Sequence, residues 1–315
     1  MGVQLERLWG HVSLLTLCLA VILAACRERP PQLELTEAGY LSLPEGFLPS
    51  GLSTSGDDVL LWSATGQGLL RIRQGDGTAE LLAIPDVAVV GAALPFANSD
   101  DWVALIGGDE PRLVWGGRDG TIRNNVAVNV PGHVTAAVYH RPTWFVGVVD
   151  RDVSQVYAMD PETGHASLIW RLADAGSTHR LDMSFSAAGV LLTSPRAPFV
   201  IRRLSEQGEV DFETGPARVP GLEEHFASAP AAEWRSLPAV EFPGGLIQTL
   251  SDLRSDRRVL VLYSPDGTPL RFTPVRAPMA VVGACGTPMS VSHLLAIRSG
   301  QGIELVRYRW RWAHT

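Results

Sequence analysis

Trp144-Phe145-Val146-Gly147-Val148-Val149, then Val156-Tyr157-Ala158, then the turn Thr163-Gly164, then residues 166–172 form one unit of a pattern that this chain repeats. Each apolar run is short, rich in β-branched and aromatic residues, and bounded by Gly, Asp or Pro, which is how half-buried strands read. The turn recurs at Asp76-Gly77, Asp119-Gly120, Gln207-Gly208 and Asp266-Gly267, so the glycines step by 43, 44, 44 and then 59 residues. Glycine reaches φ > 0 without a steric penalty, and tight hairpins demand that conformation. A strand precedes each turn, at Leu70-Arg71-Ile72, Leu113-Val114-Trp115, Val200-Ile201-Arg202 and Val259-Leu260-Val261-Leu262, and another follows, at 79–84, 122–128, 210–214 and 270–275.

A second register runs ahead of the first. Val59-Leu60-Leu61-Trp62, Trp102-Val103-Ala104-Leu105-Ile106, Val190-Leu191-Leu192-Thr193, Leu246-Ile247-Gln248-Thr249 and Leu294-Leu295-Ala296-Ile297 are equivalent strands. Before them lie runs of small residues such as Val89-Val90-Gly91-Ala92-Ala93 and Val134-Thr135-Ala136-Ala137-Val138. Four strands at a period in the low forties is the pattern of a β-propeller blade, and there are six such units. The sixth has only three strands, at 280–284, 293–297 and 303–312. Leu33-Glu34-Leu35-Thr36 with Tyr40-Leu41 is therefore expected to add the fourth and close the ring, which removes the exposed edges of an open sheet.

The chain is thus expected to be all-β: residues 33–315 form one six-bladed β-propeller of four-stranded blades, closed by an N-terminal strand. A pair of β-sandwiches and a seven-bladed ring are rival arrangements, and both account less simply for the glycine steps. The first full unit resembles an NHL-like or TolB-like repeat. Leu48-Pro49-Ser50-Gly51-Leu52-Ser53, then Asp58-Val59-Leu60-Leu61-Trp62-Ser63-Ala64-Thr65-Gly66, then Leu70-Arg71-Ile72 follow the NHL rhythm. That family usually carries Asp before the Thr-Gly turn, and here the residue is Ala64. The resemblance implies propeller geometry and no particular activity.

The 59-residue step contains an insertion at about 215–238, roughly 15 residues more than a blade connection needs. Long loops in compact domains are disproportionately functional. Glu224, His225, Phe226 and Trp234 are its candidate contact residues.

At the front of the chain, an apolar run from Val12 to Ile22 follows Arg7 and leads to Leu23-Ala24-Ala25-Cys26. This is secretory-signal architecture ending in a cysteine. It resembles the lipobox of bacterial lipoproteins, which implies a signal peptide at 1–25, diacylglycerol and acyl lipid on Cys26, and a lipidated tether at 26–32. A single transmembrane anchor is the alternative, but about 20 apolar residues are needed to span a bilayer. Arg27 after the cysteine implies outer-membrane sorting in a Gram-negative host, and otherwise the outer face of the cell membrane.

The formal charge of −7 lacks the basic stripe that nucleic-acid binding requires. All 26 basic residues are Arg, so no lysine can form a Schiff base. Cys18 leaves with the signal and Cys26 would be acylated, so Cys285 is left without an intramolecular disulfide partner. No HxH, HxxxH or HExxH spacing, no Gly-x-Ser-x-Gly elbow and no phosphate loop occurs. No catalytic or metal-ligating residue, and no nucleotide or cofactor, is therefore assigned. Calcium at the oxygen-rich turns Asp57-Asp58, Asp100-Asp101 and Asp150-Arg151-Asp152 is the weaker reading, against solvated carboxylates that guard strand edges.

Innermost strands of a propeller line its channel. Their polar members here are His140, His179, Arg180, Asp182, Ser184 and Glu241, the candidate channel residues. The last strand alternates Arg307, Arg309 and Arg311 with Tyr308, Trp310 and Trp312. These features imply an exported, membrane-tethered module that binds an envelope protein, peptide or glycan. The alternative is a propeller enzyme of lactonase, lyase or sugar-dehydrogenase type working at the channel mouth.

Overall fold

The short apolar runs become strands in the computed structural model, which describes residues 32–313 apart from 56–57, 64–67, 74–77, 83–87, 95–100, 109, 118, 152, 173–180, 217–218, 220, 227–232, 256, 276–278, 288–289 and 300–301. Contacts divide the chain into a large unit, Leu35–Trp310, and a small one made of the two ends, Met1–Glu34 and Arg311–Thr315. In the small unit, Arg311 Nε lies 2.5 Å from Glu34 Oε2.

Strand β1 (Gln32–Ser42) comes first. Blade one is β2 (Gly51–Ser55), β3 (Asp58–Trp62), β4 (Leu69–Ile72) and β5 (Ala79–Leu82). Blade two is β6 (Val89–Ala93), β7 (Trp102–Ile106), β8 (Arg112–Gly116) and β9 (Ile122–Ala127). Blade three is β10 (His133–His140), β11 (Thr143–Asp150), β12 (Val153–Met159) and β13 (Ala166–Arg171). Blade four is β14 (Asp182–Ser186), β15 (Gly189–Thr193), β16 (Ile201–Leu204) and β17 (Val210–Thr214). A short helix α1 (Leu222–Phe226) precedes blade five, whose strands are β18 (Trp234–Ser236), β19 (Val240–Phe242), β20 (Gly245–Asp252), β21 (Arg258–Tyr263) and β22 (Pro269–Val275). Blade six holds β23 (Met279–Thr287), β24 (Ser290–Ser299) and β25 (Ile303–Ala313), with β1 outside β25.

All paired strands with a defined register are antiparallel, and each blade is an up-and-down meander. The innermost strands adjoin in the order β2, β6, β10, β14, β19, β23, and β23 adjoins β2 again. The molecule is therefore an all-β, six-bladed propeller. Small residues on these strands are a packing requirement. A Cβ on Gly283 of blade six would stand 2.4 Å from Leu52 Cδ1 of blade one, closer than any real contact. Thr54 of blade one also donates to the Ala284 carbonyl of blade six at 3.0 Å.

The core lies between the blades. Leu60 and Leu69 of blade one pack with Trp102 and Val114 of blade two. Val103 and Leu113 of blade two pack with Trp144 and Met159 of blade three. Blades three and four share Phe145, Val156, Val190 and Leu204, and blades six and one share Leu295, Leu305, Val59 and Leu70. Burying a Leu- or Phe-sized side chain contributes roughly 1.5–3 kcal/mol, so each interface holds its neighbours strongly.

The predicted turn glycines behave as their spacing requires. Gly120, Gly164, Gly208 and Gly267 have φ of 76°, 70°, 85° and 82°, while Gly77 lies outside the described residues. At Gly164 a side chain is excluded twice over, because a Cβ would also stand 2.1 Å from the Ala127 carbonyl oxygen of the preceding blade. The turn of one blade is thus seated against the outer strand of the last.

Blade five departs from the pattern. The insertion was expected to run to residue 238, yet Trp234–Ser236 is already strand and pairs with Leu250–Asp252. The inner strand resumes at β19, which pairs with Gly245–Ile247, so residues 237–239 form an interruption between two three-residue segments. Leu237 N still donates to the Thr249 carbonyl at 2.9 Å. Beneath the break, Gln248 Nε2 donates to the Phe199 carbonyl and to Ser236 Oγ, each at 2.9 Å. Tyr263 donates its hydroxyl to Gln248 Oε1 at 2.6 Å, and burial pushes its phenol pKa far up, so it remains a donor. A buried amide satisfied on every side fixes geometry that apolar packing alone would leave loose.

Candidate functional site: the axial cavity and its hairpin rim

Six inner strands around one axis enclose a cavity of about 510 Å³. That is the size of a small-molecule site. Its wall is mainly apolar, with Leu52, Val90, Ala136, Met183 and Val282 contributed by five blades, and Leu237 and Pro238 by the interrupted strand of blade five. Three sequence-predicted residues line it together: Asp182, Ser184 and Glu241. Asp182 opens β14 and is buried. Ser184 donates its hydroxyl to the Ala239 carbonyl, and Ala239 N donates to Thr193 Oγ1 at 2.9 Å, so blade four grips the interruption from both sides of one residue.

Inner strands run toward the hairpins at 141–142, 187–188 and 243–244, so Tyr139, His140, Phe185 and Glu241 gather at that rim. Glu241 is held there by its own chain. Its Oε2 accepts from Ala187 N at 2.6 Å and its Oε1 lies 3.3 Å from Arg203 Nη1. Arg203 is shared with Asp211 at 3.2 Å and lies over the Phe212 ring at 4.7 Å. His140 is not part of the cavity lining. It stacks on Phe185, with centroids 5.3 Å apart and planes 19° apart, and its Nδ1 lies 3.2 Å from Glu206 Oε1. Phe185 lines the mouth and is 52% exposed. His179, Arg180 and Cys26 lie outside the described residues.

The insertion residues divide. Trp234 is 1% exposed and belongs to the core between blades four and five, which removes it as a surface contact. Phe226 is half-buried and turns inward, edge-on to Trp234 at 5.1 Å and tilted on Phe199 at 6.4 Å. Leu222 is buried beside them, and Glu224 faces out. His225 lies on α1, and its side chain is outside the described residues. An amphipathic turn spends its aromatic face on packing, which explains why the aromatic candidates are inside.

The acidic turns carry partners. Asp58 pairs with Arg71 at 2.9 Å and Asp101 with Arg123 at 2.6 Å, while Asp57, Asp100 and Asp152 lie outside the described residues. Among the described residues, no group of three or more His, Cys, Asp and Glu side chains converges. On the last strand, Arg309 is exposed and Trp310 packs edge-on to Phe242 at 5.0 Å.

Sequence reasoning missed Phe185, Tyr139 and Arg258, which also line the cavity. Phe185 was detectable, since it stands one residue before the Ser186-Ala187-Ala188-Gly189 turn and so must reach the rim. Arg258 was not, because it comes from the third strand of blade five.

No protein-family model matches the chain, and no curated protein does. Solved structures match its fold. The PQQ-bound aldose sugar dehydrogenase of Streptomyces coelicolor aligns at a TM-score of 0.56 and 12% identity, over 90% of this chain and 100% of that one. The β-propeller domain of Cps50 (Swd1) from Myceliophteria thermophila aligns at 0.54 and 12%, over 90% and 96%. A chain of the mitotic checkpoint complex aligns at 0.54 and 13%, over 88% and 93%. Identities this low carry the fold alone, and the fold is shared by an enzyme and by a member of a protein complex. The class is therefore the six-bladed β-propeller, and function must be argued from the site.

Proposed function

We propose that this protein is an exported propeller lipoprotein, tethered through lipid on Cys26, whose axial cavity and hairpin rim bind an envelope protein, peptide or glycan without catalysing a reaction. Strand β1 serves as the clasp of the ring, and the NHL-like rhythm of the first blade reflects its repeat origin. The observation that carries the binding reading is the state of the cavity's polar groups. Glu241 is tied to Arg203 and Ala187 N, and Ser184 to the Ala239 carbonyl. Polar groups fixed in place by the protein, in a mainly apolar cavity, can orient a ligand.

The tether reading predicts that Cys26→Ala in the full chain abolishes incorporation of labelled fatty acid and moves the protein from the membrane fraction to the soluble one. The binding reading is tested with a photo-crosslinking residue placed at Phe185 in cells making the full chain. A discrete adduct with one envelope component is expected, and none from the same residue placed at Leu81, exposed on the outer strand of blade one. Turnover of lactones, or PQQ-dependent oxidation of aldoses, by the purified protein would overturn the non-catalytic reading.

A further inference from the structure

We propose that the hairpin-rim mouth of the cavity recognises an organic cation on an apolar stem, with an ammonium or guanidinium group at the rim and its hydrocarbon chain inside the ring. This rests on the reading of the axial cavity as the binding site and adds the chemistry of the ligand.

Charge is the first argument. Around the mouth stand Glu206, Asp211, Glu241 and Asp266, against Arg203, Arg141 and the exposed Arg309, whose neighbour Trp310 packs on Phe242. Arg203 is already shared between Asp211, Glu241 and the Pro265 carbonyl, 3.3 Å away, so it offers little to an incoming anion. Among the described residues, four carboxylates face three guanidiniums, one of them already shared between two of those carboxylates, which leaves the rim negative by one charge. The guanidinium in the cavity lining, Arg258, belongs to the start of β21, at the opposite end of the strand from the Ser264–Thr268 turn that meets Arg203. Asp182, at the start of β14, also lines the cavity at that far end.

The aromatic geometry is the second argument. Phe185 rests on His140 and leaves half of its surface open at the mouth. The face of an aromatic ring is electron-rich and attracts a cation within about 6 Å of its centroid. Its strand also brings Glu241 close, since Ala187, two residues on, donates to that carboxylate. The cavity behind is walled by Met183, Val138, Leu94 and Val240. A charged head held by ring and carboxylates, with an apolar stem running inward, satisfies both halves of this site. A neutral sugar would leave the apolar depth unfilled, and an anion would face the wrong field.

Three probes separate the possibilities when titrated calorimetrically into the full chain in nanodiscs: N-acetyl-lysinamide, N-acetyl-norleucinamide, which has the same four-carbon side chain without the ammonium group, and n-butylammonium. Lysinamide is expected to bind about tenfold more tightly than norleucinamide, a difference that each pairing of a cation with ring or carboxylate can supply. Its advantage should shrink as salt rises, because the rim is open to solvent. Phe185→Ala, at an exposed position, and Glu241→Gln, which keeps an acceptor for Ala187 N, are each expected to weaken lysinamide at least threefold more than they weaken norleucinamide. Butylammonium matching lysinamide supports a free amine as the ligand, and weaker butylammonium supports a basic side chain of a peptide. Equal binding of lysinamide and norleucinamide would overturn the cation assignment while leaving the cavity as the binding site. Binding of none of the three would overturn both.

Discussion

Blades three and five answer the same structural demand in different ways. In blade three the inner strand β10 is one strand of eight residues with a single register shift between Val134 and Ala136, and the blade is held by apolar contact through Trp144, Phe145 and Val146. In blade five the inner strand is cut into β18 and β19, and a hydrogen-bonded amide is buried under the cut. The continuous inner strand supplies His140 and Tyr139 to the rim, whereas the interrupted one supplies Glu241 and brings Leu237 and Pro238 into the cavity wall. Bulged and interrupted strands re-aim side chains, and they cluster at sites that act on other molecules. The repeat builds the ring, and the departure from the repeat shapes its interior.

The largest effects are expected from the two buried indoles. Trp144→Ala and Trp234→Ala should each cost about 3–5 kcal/mol, the usual range for emptying an aromatic site that cannot collapse. Equilibrium denaturation measures both. They should differ in kind, because Trp234 also seats Phe226 of α1. Trp234→Ala should therefore make the 215–233 segment open to limited proteolysis under native conditions, while Trp144→Ala leaves that segment as resistant as before. Equal resistance in the two variants would show that α1 is held by something other than this contact.

Next in size is the pair of buried glutamines. Gln248→Leu strands the Tyr263 hydroxyl, the Phe199 carbonyl and one contact of Ser236, at an expected cost of about 2–4 kcal/mol. Gln155 of blade three accepts from Tyr157 at 2.6 Å, so Gln155→Leu should cost only about 1 kcal/mol. If the order were reversed, the polar network would not be what holds the interrupted strand. Lysinamide binding by Gln248→Leu sharpens the point: misplacing residues 237–241 should weaken it even where the protein stays folded.

The ring was legible in the sequence because its cause is local and repeated. A hairpin glycine every 43 or 44 residues and the Trp-initiated runs at 102 and 144 each report a strand or turn, and the described strands fall where those runs do. The rim was legible only in part. Asp182, Ser184 and Glu241 were found because inner strands must line the axis. Arg203 escaped because its role depends on three partners, at 211, 241 and 265, two of which only the packing of blade five on blade four brings to it. Trp234 was misjudged as a surface contact because the extra residues of blade five do not reveal where the strand resumes.

The smallest effect distinguishes the carboxylates that end the second strands of these two blades, Asp150 on β11 and Asp252 on β20. Asp252 is buried and accepts from Ser255 Oγ at 2.6 Å, from Arg254 N at 2.9 Å and from Arg257 Nη2 at 2.8 Å. The Ser255 hydroxyl foremost, then the Arg254 amide and Arg257, hold its pKa down from an ordinary 3.8 to about 2. A carboxyl whose pKa is depressed by folding stabilises the native state above its unfolded pKa, and that contribution fades as pH falls from about 4 through about 2. Each pKa unit is worth ~1.4 kcal/mol, so at most about 2.5 kcal/mol is at stake. Asp252→Asn should therefore be less stable than the unmodified protein at pH 7, with the gap closing between pH 4 and 2 in urea titrations at stepped pH. Asp150→Asn changes the net charge by the same amount at a two-residue hairpin and serves as its control. A gap for Asp252→Asn that stays constant down to pH 2 would mean that the loop is held by packing and not by the ionised carboxylate.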